Sequence, residues 1–554
     1  MKTNNADKKS GLSRRDALKL SGLTLGALAT GGAGRKHEDG HDPVDVGNCY
    51  PTHYQTQKYS YFETLKPMTP WGKDINGNVT GTKLERDEMR ITFMGSVVPM
   101  ARRAQAEMSV FVEVGWDHHK QQPLDQFIFD FGCGVSANYQ ACGVGYGRMD
   151  KIFINHLHCD HVSDLIQCYG FGDGGDRKSP LFIWGQGPSG VPNPGMTPVV
   201  TDPANPQPNG YAAGPPRYAD GVGAFCHHLR EALRWHTESQ AFQGTAYQSC
   251  PTLAEVQANW RLPYVPIPAG DDPHNDANAL IPIELDWRKT GLTPDGRPTG
   301  DNIAYHNAAT GAKVLHYPVI HTRKGSMGYK LEWTPPGATK PVTMLYSSDT
   351  KPEVNSIYHA INKDITGRPR GVDVFIHEMA VAPEIWAMKN QGLTQPGDPN
   401  DPVWATTVEG MKTVQNSSHT PQGAYGYMLS QIHPRPGLAV ATHFPTADDT
   451  VACALNSVRA HCPDIKREGD QLVWSFDLMV LRVFPHKIEQ RRAVVNDFSF
   501  DPPIPTSHSD MLAPKYHTGT GAGDPFVQID QTYGINSTED GGYEGEPTYR
   551  KDGY

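Results

Sequence analysis

The chain has 554 residues, 56 of them glycine and 46 proline, with 38% apolar residues and a formal net charge of −10. This composition points to a loop-rich enzyme rather than a helical bundle, in a chain long enough for more than one domain. The acidic balance offers no basic footprint for nucleic acid, and no apolar run of the mature chain is long enough to span a membrane.

The N-terminus reads as an export signal. Ser13-Arg14-Arg15-Asp16-Ala17-Leu18-Lys19 resembles the twin-arginine pattern, with Ala17 where phenylalanine is common. The weakly apolar, glycine-rich run Leu20 to Ala33 completes a signal peptide over residues 1–33. This implies the twin-arginine export machinery as a partner and a periplasmic or secreted location. Cys49 lies too far downstream to carry a lipid anchor. Residues 34–88 are polar and turn-rich and read as an N-terminal arm around the domain.

The main domain is expected over residues 89–487. Its first strands are Arg90 to Ser96, Ser109 to Val114 and Gln126 to Phe131, the last running into Asp130-Phe131-Gly132-Cys133-Gly134. Lys151 to Asn155 is a strand that feeds Asn155-His156-Leu157-His158-Cys159-Asp160-His161. Three imidazoles and a carboxylate at H-x-H-x-D-H spacing are ligands that first-row divalent metals prefer, zinc above all. A strand that stops and turns into a short loop can splay such side chains around two metals. Cys159 falls between ligand positions and reads as packing. A helix starts at Asp164 and closes at Gly170.

Residues 172–310 break this pattern with Pro/Gly/Asn-rich runs and one helix near Ala224 to Ser239. A stretch of this kind reads as an insertion, either a lid over the metal edge or a subunit contact that would make a homodimer. Strands resume at Lys313 to Ile320, Gly328 to Trp333, Val342 to Tyr346, Val372 to His377, Leu438 to His443 and Leu472 to Phe484. Helices intervene at Glu353 to Asn362 and Pro421 to Ile432. Strands first in runs, then alternating with helices, predict sheets sandwiched between helices. Residues 488–554 read as a tail wrapping the surface. The nine cysteines are an odd number, with Cys133/Cys142 and Cys453/Cys462 as candidate close pairs.

A two-metal site needs further ligands, and three later strand ends offer them. His321 follows Tyr317-Pro318-Val319-Ile320, Asp349 follows Met344-Leu345-Tyr346-Ser347-Ser348, and His443 follows Leu438-Ala439-Val440-Ala441-Thr442. Each alone would be an ordinary loop residue. Together with His156, His158, Asp160 and His161 they read as ligands. Asp117-His118-His119 and Cys226-His227-His228 lack distant partners and read as polar surface, and Gly143 to Gly147 reads as a turn.

This ordered set resembles the metallo-β-lactamase superfamily, and within it the ribonuclease Z and arylsulfatase-like branch. The landmarks are Phe93-Met94-Gly95-Ser96, Asp130-Phe131-Gly132, the H-x-H-x-D-H loop, His321, Ser348-Asp349-Thr350, Phe375-Ile376-His377-Glu378, Ser418-His419-Thr420 and Thr442-His443-Phe444. The resemblance implies an α/β fold, a four-layer αββα sandwich with metals at one edge of the paired sheets. It implies two Zn2+ per chain, with Mn or Fe as substitutes. His156, His158 and His321 would hold the first ion, Asp160, His161 and His443 the second, and Asp349 would bridge them. It makes His419 a candidate general acid and Glu378 a group that orients a neighbouring imidazole, while His377 and Asp130 read as supports.

Two such ions lower the pKa of a shared water towards neutrality and stabilise charge that develops on the attacked group. Asp160 or Asp349 would orient that water. The expected function is therefore an exported binuclear hydrolase of a small ester, a phosphodiester or aryl sulfate. Ribonuclease Z-type cleavage, a lactonase or β-lactamase-like reaction, and a non-catalytic metal-binding protein are the alternatives. Export and acidic charge rank the small-molecule substrate above nucleic acid, although fold and metal do not determine substrate.

Overall fold

The computed structural model describes residues 58–495, apart from 75, 100, 173–174, 178, 192–217, 234–235, 237–279, 394–395 and 466–467. Residues 1–33, expected to be a signal peptide, most of the expected N-terminal arm, much of the 172–310 stretch and residues 496–554 lie outside the described residues. Among the described residues no helix is long and apolar enough to cross a membrane.

Two sheets face each other. The first takes β1 (Lys66–Met68), β2 (Met89–Gly95), β3 (Ser109–Val114), β4 (Asp125–Phe129), β5 (Lys151–Phe153), β6 (Leu181–Gln186) and β7 (Leu280–Leu285). The second is built in chain order from β8 (Ile303–Asn307), β9 (Ala312–Pro318), β10 (Met327–Trp333), β11 (Val342–Tyr346), β12 (Val374–Glu378), β13 (Leu438–Thr442) and β14 (Leu472–Trp474). The chain then returns to the first sheet with β15 (Met479–Phe484) and β16 (Lys487–Ala493), giving the order β1-β16-β15-β2-β3-β4-β5-β6-β7. Strands β4 to β7 run parallel, as do β11 to β14.

Side-chain alternation explains why the sheets stack. Phe153 of β5 points between the sheets while Ile152 and Ile154 point out, and Val374 and Ile376 of β12 point in while Phe375 points out. The inward set forms one core between the sheets, where Phe153 stacks on Trp184 with ring centroids 4.5 Å apart. Helices cover both outer faces. Val135, Tyr139, Leu165, Cys168, Val222 and Leu229 pack on the first sheet. Ala360, Tyr425, Met428, Leu429, Val451 and Val458 pack on the second. The result is the αββα sandwich expected from the resemblance.

The helices start and stop for local reasons. Glu353 caps Val354–Ile361 by accepting from the amides of Asn355 and Ser356, and Asn362 ends it in the left-handed region at φ 52°. Asp401 caps Pro402–Ser418, with proline in the first turn, and this helix delivers His419.

Several expectations are corrected. The apolar run Leu472 to Phe484 is two strands in different sheets, because the chain crosses between them at Ser475 to Leu478, where Leu478 has φ 66°. The 172–310 stretch contributes β6, β7 and β8 to the sheets rather than standing apart from them. Residues 488–493, read as the start of a tail, form β16, whose charged side chains are tolerated near the sheet margin by pairing: Glu489 contacts Arg482 and Arg491. Neither cysteine pair forms. Cys133, Cys453 and Cys462 are free thiols, and Cys142 is buried in the outer helical layer.

Candidate metal centre

The site lies where parallel strands end. From the first sheet, β4 runs into Asp130 and β5 into His156, His158, Asp160 and His161. From the second, β9 leads to His321, β11 to Asp349, β12 ends in Glu378 and β13 leads to His443. Three of these turns are strained: Asp130, Ser348 and His443 hold φ of 59°, 53° and 52°, a region costly for residues other than glycine. Behind the loop, a Cβ on Gly132 would lie 2.1 Å from the Asp160 carbonyl oxygen, so only glycine lets the two backbones approach.

The ligand-type atoms converge in three groups, the last two sharing Asp349 and His443, each with its atoms within 4.8 Å of one another: His156, His158 and His321; then Asp160, His161, Asp349 and His443; then Asp349, Glu378, His419 and His443. Asp349 joins them. Its Oδ1 is 3.5 Å from His161 Nε2, and its Oδ2 is 3.6 Å from His443 Nε2 and 3.9 Å from His321 Nε2. His443 Nε2 also lies 2.9 Å from Asp160 Oδ2.

Outward partners set the orientation of the rings. His156 Nδ1 lies 2.7 Å from Asn155 Oδ1, His161 Nδ1 2.9 Å from Asp130 Oδ2 and His321 Nδ1 2.9 Å from the Ser418 carbonyl oxygen. Each partner accepts, so each Nδ1 donates and each Nε2 is left with a lone pair facing inward. His156 Nε2, His161 Nε2 and Asp349 Oδ1 are buried without a hydrogen-bond partner among the described residues. His158 Nδ1 and His321 Nε2 sit 3.2 Å apart. Buried lone pairs aimed at a common point are costly unless a cation satisfies them, and the mixed imidazole and carboxylate set suits zinc. These residues could hold a pair of ions.

The electrostatics divide the site. Burial pushes the imidazole of His321 down to about 4 and those of His156 and His158 below their usual value. Around Asp160 and Asp349, burial is outweighed by neighbouring imidazoles, so both carboxyls lie well below their ordinary range. At His419, burial is outweighed by the Glu378 carboxylate 2.8 Å away, which lifts the imidazole to about 9.

All nine residues read from the sequence as candidates come together here: the seven ligand candidates, His419 and Glu378. Asp130 accepts from His161, Tyr346 and Ser348, and His377 is wholly buried beneath the site. Asp117 instead accepts from the amides of His119 and Lys120 in a surface turn, and Cys226 is packed in an outer helix. Cys159 is exposed rather than packed. Residues not singled out beforehand are Asn155, Tyr346, Ser347 and Thr420. Only Asn155 carried a signal, standing directly before the first histidine.

Fold and site together define an αββα sandwich with a candidate metal centre at one edge. No family model matches the chain. It is similar to ribonuclease Z of Halorubrum lacusprofundi, 35% identical over 100 residues, 17% of this chain and 28% of that one. It is likewise similar to ribonuclease Z of Methanothermobacter thermautotrophicus, 32% identical over 108 residues, 19% and 30% of the two chains. The chain therefore spans less than a third of the length of these curated relatives. A solved structure of similar outline is the metallo-β-lactamase fold protein YhfI from Bacillus subtilis, at 12% identity and a TM-score of 0.35, covering 72% of this chain and 100% of that one.

Proposed function

We propose that the protein is a binuclear metal-dependent phosphodiesterase of ribonuclease Z type, with zinc as its natural ion. The observation that carries this reading is the place of Asp349, whose two oxygens face imidazoles of both ligand groups. The names of the curated relatives favour a phosphodiester over the aryl sulfate or other small ester ranked first on charge. Net charge describes the whole chain, whereas a substrate meets only the rim of the site. A twin-arginine export signal over residues 1–33 and action in the periplasm are part of the proposal, supported by the Arg14-Arg15 pattern alone.

His156, His158 and His321 would hold one ion, Asp160, His161 and His443 the other, with Asp349 shared. When bound, the pair supplies Lewis acidity and an activated water. The chain's own residues do the rest. Asp160 orients the attacking water. As the water oxygen bonds to phosphorus and gives up a proton to solvent, the bond from phosphorus to the departing oxygen breaks. His419, whose Nδ1 is bound to Glu378, presents its other nitrogen and donates a proton to that oxygen.

The test is metal analysis with four substrates: bis(p-nitrophenyl) phosphate, p-nitrophenyl sulfate, a lactone and a precursor RNA. Phosphodiester cleavage that chelation abolishes and zinc restores supports the reading. Two bound ions with no turnover of any substrate would favour a binding protein instead. Cleavage of bis(p-nitrophenyl) phosphate without the RNA would assign a small-molecule substrate.

A further inference from the structure

We propose that His377 is a positioning residue, fixed as its Nε2–H tautomer, that holds the Asp349 strand end and the His419 loop at their working separation. The inference rests on the roles given above to Asp349 and His419.

His377 lies in β12 with no exposed surface, and its ring stacks on Tyr425 at 5.1 Å and 13°. Both ring nitrogens meet hydroxyls: Nδ1 meets Ser347 Oγ, and Nε2 lies 3.1 Å from Thr420 Oγ1. The next link sets the direction. Thr420 Oγ1 lies 2.7 Å from the Thr350 carbonyl oxygen, which can only accept, so the threonine proton is committed there. Thr420 Oγ1 must then accept from the imidazole, which places the N–H on Nε2. Nδ1 keeps its lone pair, and Ser347 donates to it.

The relay therefore runs Ser347 to His377 to Thr420 to Thr350. Its two ends bracket Ser348 and Asp349, and its middle lies beside His419. A second tie closes the loop: Glu378 Oε1 accepts from the Thr350 amide, and Glu378 Oε2 lies 2.8 Å from His419 Nδ1. Asp349 Oδ2 and His419 Nδ1 are thereby held 3.8 Å apart. No other imidazole of the site meets a hydroxyl at each of its two nitrogens among the described residues.

The test uses His377→Phe, which keeps a stacking ring without polar atoms, and His377→Gln, whose amide can accept from Ser347 and donate to Thr420. Two diesters are compared, one with an alkoxide leaving group that needs a proton and one with p-nitrophenolate that does not. Turnover of the alkoxide diester by His377→Phe should fall ~10- to ~100-fold with unchanged metal content, the range for lost supporting contacts. Cleavage of the nitrophenyl diester should barely change, and His377→Gln should recover most of the loss. Equal loss on both diesters, no loss, or a glutamine variant as poor as phenylalanine overturns the proposal. Should His377→Phe not fold, Thr420→Val breaks the same relay and takes its place. Nitrogen-15 NMR of the full chain supplies a readout independent of turnover, in which a single Nε2–H tautomer is expected and an Nδ1–H form overturns the idea. A wild-type protein without metal or diesterase activity would sink the proposed function while leaving this tautomer test in force.

Discussion

His443 Nε2 lies 2.9 Å from Asp160 Oδ2, although 283 residues of chain separate them. Asp160 follows a strand of the first sheet and His443 a strand of the second, so the contact closes the sandwich at its metal edge. The same edge carries carboxylates that draw positive charge: His161 and His443 are both lifted above the usual imidazole range, burial being overcome by Asp160 and Asp349. A cation seated there answers that demand.

Ligands and proton donor should separate by mutation. His158→Ala removes an inward-facing nitrogen of the first group and is expected to lose metal and turnover together. His419→Ala should retain metal yet lose turnover of a diester with an alkoxide leaving group by ~10²- to ~10⁴-fold, the usual contribution of a general acid. Metal per chain by atomic spectrometry, measured beside kcat, checks both. Full turnover of that diester in the second variant removes His419 from the mechanism.

Asp130 is a single carboxylate serving several donors. It accepts from His161 Nδ1 at 2.9 Å, Tyr346 at 2.5 Å, Ser348 at 2.9 Å and the Asn155 amide at 2.8 Å. Asp130→Asn would turn an NH2 group towards donors. Zinc affinity should fall ~10- to ~100-fold, as expected when a ligand loses its orienting partner. Competition with a calibrated chelator measures it, and unchanged affinity would make Asp130 a purely structural residue.

The candidate ligands were legible because each of their segments follows an apolar run: a strand buried on both faces reads as a hydrophobic block, and the polar residues after it are conspicuous. Asp349 after Val342–Tyr346 and His443 after Leu438–Thr442 are such cases. The strands Leu280–Leu285 and Lys487–Ala493 were not legible. The first is preceded by a long Pro/Gly-rich stretch, and the second carries charges on residues only partly buried. The helix Pro402–Ser418 was masked by β-branched residues and a glycine despite its Asp401 cap. The hydroxyl partners of His377 were beyond reach for another reason: Ser347 and Thr420 are ordinary in sequence, and only the folded geometry brings them to one ring.

Phe153 should be among the most sensitive core positions. It is fully buried between the sheets, stacked on Trp184, and lies two residues before Asn155. Phe153→Ala is expected to destabilise the fold by about 3–5 kcal/mol, transfer and cavity terms combined. Denaturant unfolding of the metal-free protein isolates this effect from ion binding. A change under about 1 kcal/mol would mean that the two sheets repack around the gap.

A pH dependence of stability should arise away from the metals, at Asp477 in the crossing between the sheets. Burial pushes its carboxyl up to about 7, although Ala106 N, Ser96 Oγ and Asn138 Nδ2 all donate to it. The unfolded value is about 3.9. The folded state therefore holds the proton more tightly, and stabilisation from this group is complete below about pH 4 and lost as pH rises through about 7. The loss cannot exceed about 4 kcal/mol by linkage. Asp477→Asn copies the protonated carboxyl, so its stability relative to wild type should increase between these limits and level off above them. Unfolding free energies of both proteins at pH 5, 6, 7 and 8, taken without metal, give the difference directly. A difference that stays flat across this range would mean that the three donors keep Asp477 ionised, and the turn that ties Ser96 and Ala106 to the crossing would then be held by a charge rather than by a neutral acid.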